Sequence, residues 1–187
     1  IWQLPLQYLT VIIISGAAGL ISMVVSPFSS STIETIDYSQ VFLDEIENLD
    51  INSKYSKLVV KPGGQFKVEA TNVSDGFKVE IINRTLVVEE SNLFNRFIDF
   101  NFSIFSNKQA IITVYVPDDF NARRIDIDSG AGNVTLEELT TNKLIINAGV
   151  GDINGFNISA KSVEVNGGVG DIGFTDVNFA DVEFESG

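Results

Sequence analysis

The chain has 187 residues and a net charge of −13, with 12 basic and 25 acidic side chains and neither histidine nor cysteine. Missing cysteine excludes disulfides and thiol chemistry, and missing histidine removes the commonest general base, zinc ligand and pH switch together. The acidity excludes nucleic acid and an electrostatic grip on anionic lipid, since both need clustered Lys and Arg, whereas the last 26 residues hold six acids and no base.

Residues 1–33 carry no charge, and residues 4–25 are almost wholly apolar. That length suits one transmembrane helix of about 20 residues. Trp2, Tyr8 and Phe28 stand where interface aromatics belong, and Pro27 ends the span. The match to a cleaved signal peptide is poorer, because the apolar core is long and Pro27 would follow the cleavage site. Residues 1–27 are therefore expected to be an uncleaved, single-pass anchor. Ser15, Ala18, Gly19 and Ser22 give it a small-residue stripe that a partner helix can use. The first residue is Ile1, not Met, so orientation is not readable from flanking charge. Residues 28–45 read as a polar linker followed by a short helix, faintly amphipathic through Ile36, Phe42, Leu43 and Ile46, that caps a solenoid.

From Leu49 the pattern is of strands, at residues 49–51, 57–61, 66–71, 77–82, 86–89 and 109–116, separated by Pro62-Gly63-Gly64 and Ser74-Asp75-Gly76 turns. No fixed period is visible here, and less regular coils or hairpins on one core are expected. Residues 92–107 contain Phe94, Phe97, Phe100, Phe102 and Phe105, a cluster expected to be buried. Five Asn-x-Ser/Thr triplets, at Asn72, Asn83, Asn101, Asn133 and Asn157, are what chance gives in a chain rich in these residues.

Residues 125–187 repeat every 19 residues. Gly130-Ala131-Gly132-Asn133-Val134 is followed by Gly149-Val150-Gly151-Asp152-Ile153 and Gly168-Val169-Gly170-Asp171-Ile172, and Gly187 begins a fourth copy that reads as cut short. A fixed period near 20 marks a solenoid, in which each coil buries its apolar side chains against its neighbours. Ile125, Leu144, Val163 and Val182 form one apolar column, and Ile127, Ile146, Val165 and Phe184 another. Val134, Ile153 and Ile172 form a third, and Leu139, Ile158 and Val177 a fourth, giving three short strands and three corners per coil.

Two columns are pure glycine: Gly130, Gly149, Gly168 and Gly187, then Gly132, Gly151 and Gly170. That corner needs positive φ or close coil-to-coil approach. Asn133, Asp152 and Asp171 follow as one polar ladder, and Asp128, Asn147, Asn166 and Glu185 form a second. Asp152 and Asp171 are the residues to consider for calcium, but the spacing departs from the calcium-binding glycine-rich nonapeptide, so a plain turn ladder is expected, with no metal and no cofactor. The same two carboxylates are the least unsuitable for polysaccharide cleavage. With only Lys143 and Lys161 basic in the repeats, a non-enzyme is expected and no catalytic residue is assigned.

The linker, Ile46-Glu47-Asn48-Leu49-Asp50-Ile51, the strand ending Val114-Tyr115-Val116-Pro117 and the serial Gly-x-Gly-Asn/Asp-Val/Ile units resemble the "putative adhesin" β-strand-repeat family of unknown function, which includes LiaG-like envelope proteins of Gram-positive bacteria. The resemblance covers residues 46–187. It implies a single-stranded, right-handed β-helix outside the cytoplasmic membrane and carries over no catalytic or ligand residues. The expected function is a membrane-anchored, extracytoplasmic, non-catalytic binding or scaffolding module of the cell envelope, with envelope proteins or wall polysaccharide as partners. The alternative is an accessory regulator of a membrane sensor or transporter in envelope stress.

Overall fold

The computed structural model describes the backbone of residues 9–14, 20–25, 35–90 and 109–186, with side chains for 35–90 and 109–185. The expected anchor lies for the most part outside these residues. Within it, the backbone of β1 (Leu9–Ile14) and β2 (Leu20–Val25) runs as an antiparallel pair. Among the described residues no helix is long and apolar enough to cross a membrane. The Phe-rich stretch 92–107 also lies outside them.

The rest is all β: β3 (Thr35–Phe42), β4 (Asn48–Ser53), β5 (Lys57–Pro62), β6 (Phe66–Ser74), β7 (Lys78–Ile82), β8 (Thr85–Glu89), β9 (Ile111–Val116), β10 (Asn121–Ala131), β11 (Val134–Val150), β12 (Ile153–Val169), β13 (Ile172–Thr175) and β14 (Asn178–Ser186). They form one curled sheet. From β10 onward it is wound as a solenoid, and every parallel pair there has a 19-residue offset, as in Ile125↔Leu144, Leu144↔Val163 and Val163↔Val182. The columns of like residues are thus stacks of side chains one strand spacing apart, about 4.7–4.9 Å. Ile125, Ile127, Leu144, Ile146 and Val165 are completely buried.

The glycine corner interrupts the strands in every regular coil, and in the last coil the second corner does so too, between β13 and β14. β11 and β12 each run 17 residues, continuous through the other two corners. The second corner turns on positive φ at Glu138, Asn157 and Asp176, while the pairs on either side, such as Glu137↔Phe156 and Leu139↔Ile158, hold their register. The third skips one pair at Asn142, where Thr141 Oγ1 donates to the Lys143 carbonyl. Two further inward columns emerge, Leu136–Gly155–Phe174 and Ala122–Thr141–Ala160–Phe179. In the first, the Phe174 ring occupies the space a side chain at Gly155 would take, since a Cβ there would meet Phe174 Cδ1 at 2.3 Å.

The solenoid continues upstream in non-sequential order. β4 pairs in parallel with β10, placing Leu49 beside Ile125 and Ile51 beside Ile127, and β5 pairs with the start of β11 through Leu58↔Val134. On the far side of this coil lie β8 against β4 and β9 against β5. The chain therefore lays down the coil of residues 48–62, adds β8 and β9 outside it, and returns to build β10 on the opposite face.

The outermost coil is closed by antiparallel strands. β7 pairs with β8, β6 with β9, and β3 with β6. The segment expected as a capping helix is thus the strand β3. Ile36, Tyr38 and Phe42 are buried on one face at even spacing, whereas Leu43, which supported the helical pattern, is 70% exposed. Tyr38 packs edge-on against Phe77 with centroids 5.3 Å apart, and Phe66 against Phe120 at 4.8 Å. Burial pushes the Tyr38 phenol well above its ordinary range.

Glu90 holds the two outer coils together. Only 4% exposed, its carboxylate accepts from the backbone amides of Lys54 at 2.7 Å, Tyr55 at 3.0 Å and Ser56 at 3.3 Å, and from Ser56 Oγ at 2.8 Å. Charge-assisted bonds to a buried carboxylate are among the stronger ones. Glu90→Gln, which turns an acceptor toward donors as a second donor, is expected to cost about 2–3 kcal/mol, read as a lower urea midpoint. An unchanged midpoint would mean that these amides do not depend on the carboxylate.

Candidate functional site

The glycine corner concentrates the distinctive features of the surface. A Cβ at Gly130 would lie 2.6 Å from the Lys54 carbonyl oxygen, at Gly149 2.5 Å from that of Gly130, and at Gly168 2.2 Å from that of Gly149. In the second column the corresponding distances are 2.2 Å from Gly132 to the Ser56 oxygen, 2.4 Å from Gly151 to that of Gly132 and 2.2 Å from Gly170 to that of Gly151. Gly151 and Gly170 also have φ of 136° and 145°. Each coil therefore lays backbone directly on the carbonyl of the coil before it, and neither glycine column has room for a side chain.

The ladder after the glycines is tied into this backbone. Asn133 Oδ1 accepts from the Asp152 amide at 3.0 Å, and Asp152 Oδ1 accepts from the Asp171 amide at 3.1 Å. Asp152 and Asp171 thus serve the corner, and among the described residues no group of three His, Cys, Asp or Glu is placed to hold a metal ion. Inside the bend, the buried Ser53 and Ser129 hydroxyls donate to the carbonyls of Ser56 and Gly132. The serines were not singled out in the sequence; the signal was a Ser directly before each of these two corners.

Before the glycines, Asp128, Asn147, Asn166 and Glu185 are aligned by strand register, and the register extends upstream to Asn52 and Glu89. Asn147 Nδ2 donates to Asp128 Oδ1 and Asn166 Nδ2 to Asn147 Oδ1, both at 2.8 Å. All the amides point one way along the stack. Between this ladder and the first glycine column runs a shallow groove of about 680 Å³, lined by Asp128, Asn147, Asn166, Glu185 and the glycines, with Lys54 at one end. One residue beyond that column, Val150 and Val169 are paired across coils and are 56% and 71% exposed. The described chain leaves at Glu90 and returns at Gln109 on this same edge, where the Lys57 amide donates to the Ala110 carbonyl.

The neighbouring outward column is acidic. Asp50 faces Asp126 in register, and its pKa is raised, first by burial and then by the charges of Asp126, Asp128 and Glu89, against the opposing effect of Arg124. Arg124 in turn is held protonated by its bond to Asp126. On a more exposed edge, Glu47 joins Arg123 and Arg84, which lower its pKa and pin residues from three separate stretches of chain.

A raised folded-state pKa means that ionising Asp50 disfavours the fold, so its cost is present above that pKa and vanishes as pH falls below the ordinary aspartate value. Because Asp50 is exposed and solvent screens its charged neighbours, Asp50→Asn is expected to raise the melting temperature at pH 7 only slightly, by about 1 °C. The gain should disappear in acid. A variant less stable at pH 7 would mean that the Asp50 charge is favourably paired.

The Toastrack DUF4097 family matches residues 46–187. Among curated proteins none matches the chain. Among solved structures, a "putative cell adhesion protein" from Clostridium sporogenes is similar with a TM-score of 0.52 and 11% identity, over 81% of this chain and 99% of that one. A "putative adhesin" from Parabacteroides distasonis is similar with a TM-score of 0.44 and 10% identity, over 80% and 68% of the two chains. Another from Bacteroides fragilis gives 0.37 and 17%, over 84% and 97%. At such identities the first likeness is one of fold alone.

Proposed function

The chain belongs to the Toastrack DUF4097 family, and on that premise we propose that it is a non-catalytic, adhesin-like binding module displayed on the outer side of a cell membrane. The observation that carries this reading is the groove with its locked ladder, a surface that repeats one polar rung per coil. Repetition of that kind suits an extended partner met at many equivalent points, and it gathers no pair of acid and base around one reacting atom. The likeness in fold to a protein described as a "putative cell adhesion protein" is in keeping with this reading.

The anchor belongs to the same proposal. Residues 4–25 are apolar enough to enter a bilayer, where backbone groups must be satisfied within the segment, a condition that a helix meets and an open two-stranded hairpin does not. On this reading the span is helical in the membrane and the solenoid stands outside, with residues 28–34 as the tether. Protease treatment of intact cells should then release a fragment containing residues 35–186. A solenoid that stays protected until the cells are lysed would place it on the other side and overturn the proposal.

A further inference from the structure

We infer that the groove beside the glycine column binds a neutral polysaccharide of equatorially linked pyranose rings, lying along the solenoid axis with about one ring per coil. The inference rests on the reading of the chain as a binding module and names its ligand. The groove runs across the strands, so an occupant meets the same rung at each coil, Asp128, then Asn147, Asn166 and Glu185. Three spacings of about 4.7–4.9 Å make a track roughly 14–15 Å long.

The period selects the partner. An extended peptide advances about 3.3–3.4 Å per residue and returns to the same face after two, so it falls out of step with the coils. A pyranose joined through equatorial bonds at opposite ends of the ring is about as long as one coil spacing, and such chains are straight, flat ribbons. Successive rings are turned over, but each carries polar groups along both edges, so every rung still meets one. Axially linked chains coil away from a straight track. Charge narrows the choice further, because Asp128 and Glu185 in the groove, on a chain of net charge −13, repel a uronate or phosphate polymer.

The hydrogen-bonding chemistry also fits. Asn147 spends one N–H and one lone pair on its neighbouring rungs and Asn166 one N–H, and an amide has two N–H groups and two lone pairs. Donor and acceptor capacity therefore remain at Asn147 and Asn166, as a sugar hydroxyl, itself donor and acceptor, requires. The rungs are oriented before any ligand arrives, which lowers the ordering cost of binding. Just outside the groove's lining, beside the glycine column, Val150 and Val169 present exposed apolar surface at the rim.

The test uses the full chain in a detergent without a sugar headgroup, titrated with cellohexaose, chitohexaose and maltohexaose. Calorimetry reads affinity, and the side-chain amide NMR signals of Asn147 and Asn166 read location. The equatorially linked hexamers should shift both amide signals and bind at least tenfold more tightly than axially linked maltohexaose. Asn147→Ala with Asn166→Ala should weaken binding at least tenfold with little change in melting temperature. If that variant does not fold, the amide signals of the parent decide.

No shift of those signals at millimolar hexasaccharide overturns the inference, and so does binding that the folded double variant retains. If the sugars fail while protease still releases the solenoid from intact cells, the glycan is wrong and the envelope reading stands. If the solenoid is protected on intact cells, the envelope reading fails whatever the sugars do.

Discussion

The spacing of parallel strands is the constraint on which this structure depends. Consecutive coils are joined by main-chain hydrogen bonds, so they lie about 4.7–4.9 Å apart along the whole winding, corners included. On flat faces that distance suits branched side chains, which stack as the buried Ile125–Leu144–Val163 column does. At the corner it brings backbone onto backbone. Carbonyls stand 2.2–2.6 Å from where Cβ atoms would be, and glycine is the residue left. The groove follows directly, because a column without side chains beside a column with them is a channel.

The same constraint creates a need for acceptors. Where a chain bends sharply, its amides turn away from the strand ladder and need other acceptors, most of all where they are buried, as at Ser56, since a buried amide without a partner costs about 1–3 kcal/mol. In the regular coils an Asn or Asp of the preceding coil answers that need, as Asn133 does for Asp152 and Asp152 for Asp171. In the coil of residues 48–62, Lys54, Tyr55 and Ser56 stand in place of the Gly-x-Gly unit, and the longer Glu90 side chain supplies one carboxylate to three amides. Acidic and amide residues at these positions are therefore explained by the backbone before any ligand is invoked. Among the described residues, Asp128, Asn147 and Asn166 on the other side of the glycines bond to one another, which is why that ladder, and not the Asp152 ladder, carries the binding inference.

The regular coils were legible because each column repeats one environment, so Gly, Asn/Asp and Val/Ile recur every 19 residues. The upstream coils obey the same rule, with Leu49 and Ile51 in the columns of Ile125 and Ile127, but the chain visits them out of order and β6 and β7 intervene. A search for a period along the sequence does not find partners brought together by a return crossing. The cap was misread for a local reason. Leu43 supplied helical spacing and proves to be exposed, which leaves the two-residue alternation of Ile36, Tyr38 and Phe42. Of the five Asn-x-Ser/Thr triplets, those at Asn72, Asn83 and Asn157 place their Asn at φ of 50–55°, so left-handed turns account for these asparagines better than chance. The groove was only half legible, since the sequence showed its two columns but not the channel between them.

The most direct test of this account is hydrogen exchange on Gly151→Ala beside Gly64→Ala. Both glycines have positive φ, 136° and 72°, but a Cβ at Gly151 meets the Gly132 oxygen at 2.4 Å, whereas at Gly64 it meets nothing within 4 Å. If coil spacing is the governing constraint, Gly64→Ala should cost about 1 kcal/mol and leave the exchange pattern intact. Gly151→Ala should strip protection from residues 151–186 while β4, β5, β8 and β9 stay protected, as expected of a stack held by nearest-neighbour contacts. Equal and uniform loss of protection in the two variants would contradict the account, because backbone strain alone would then explain the glycines.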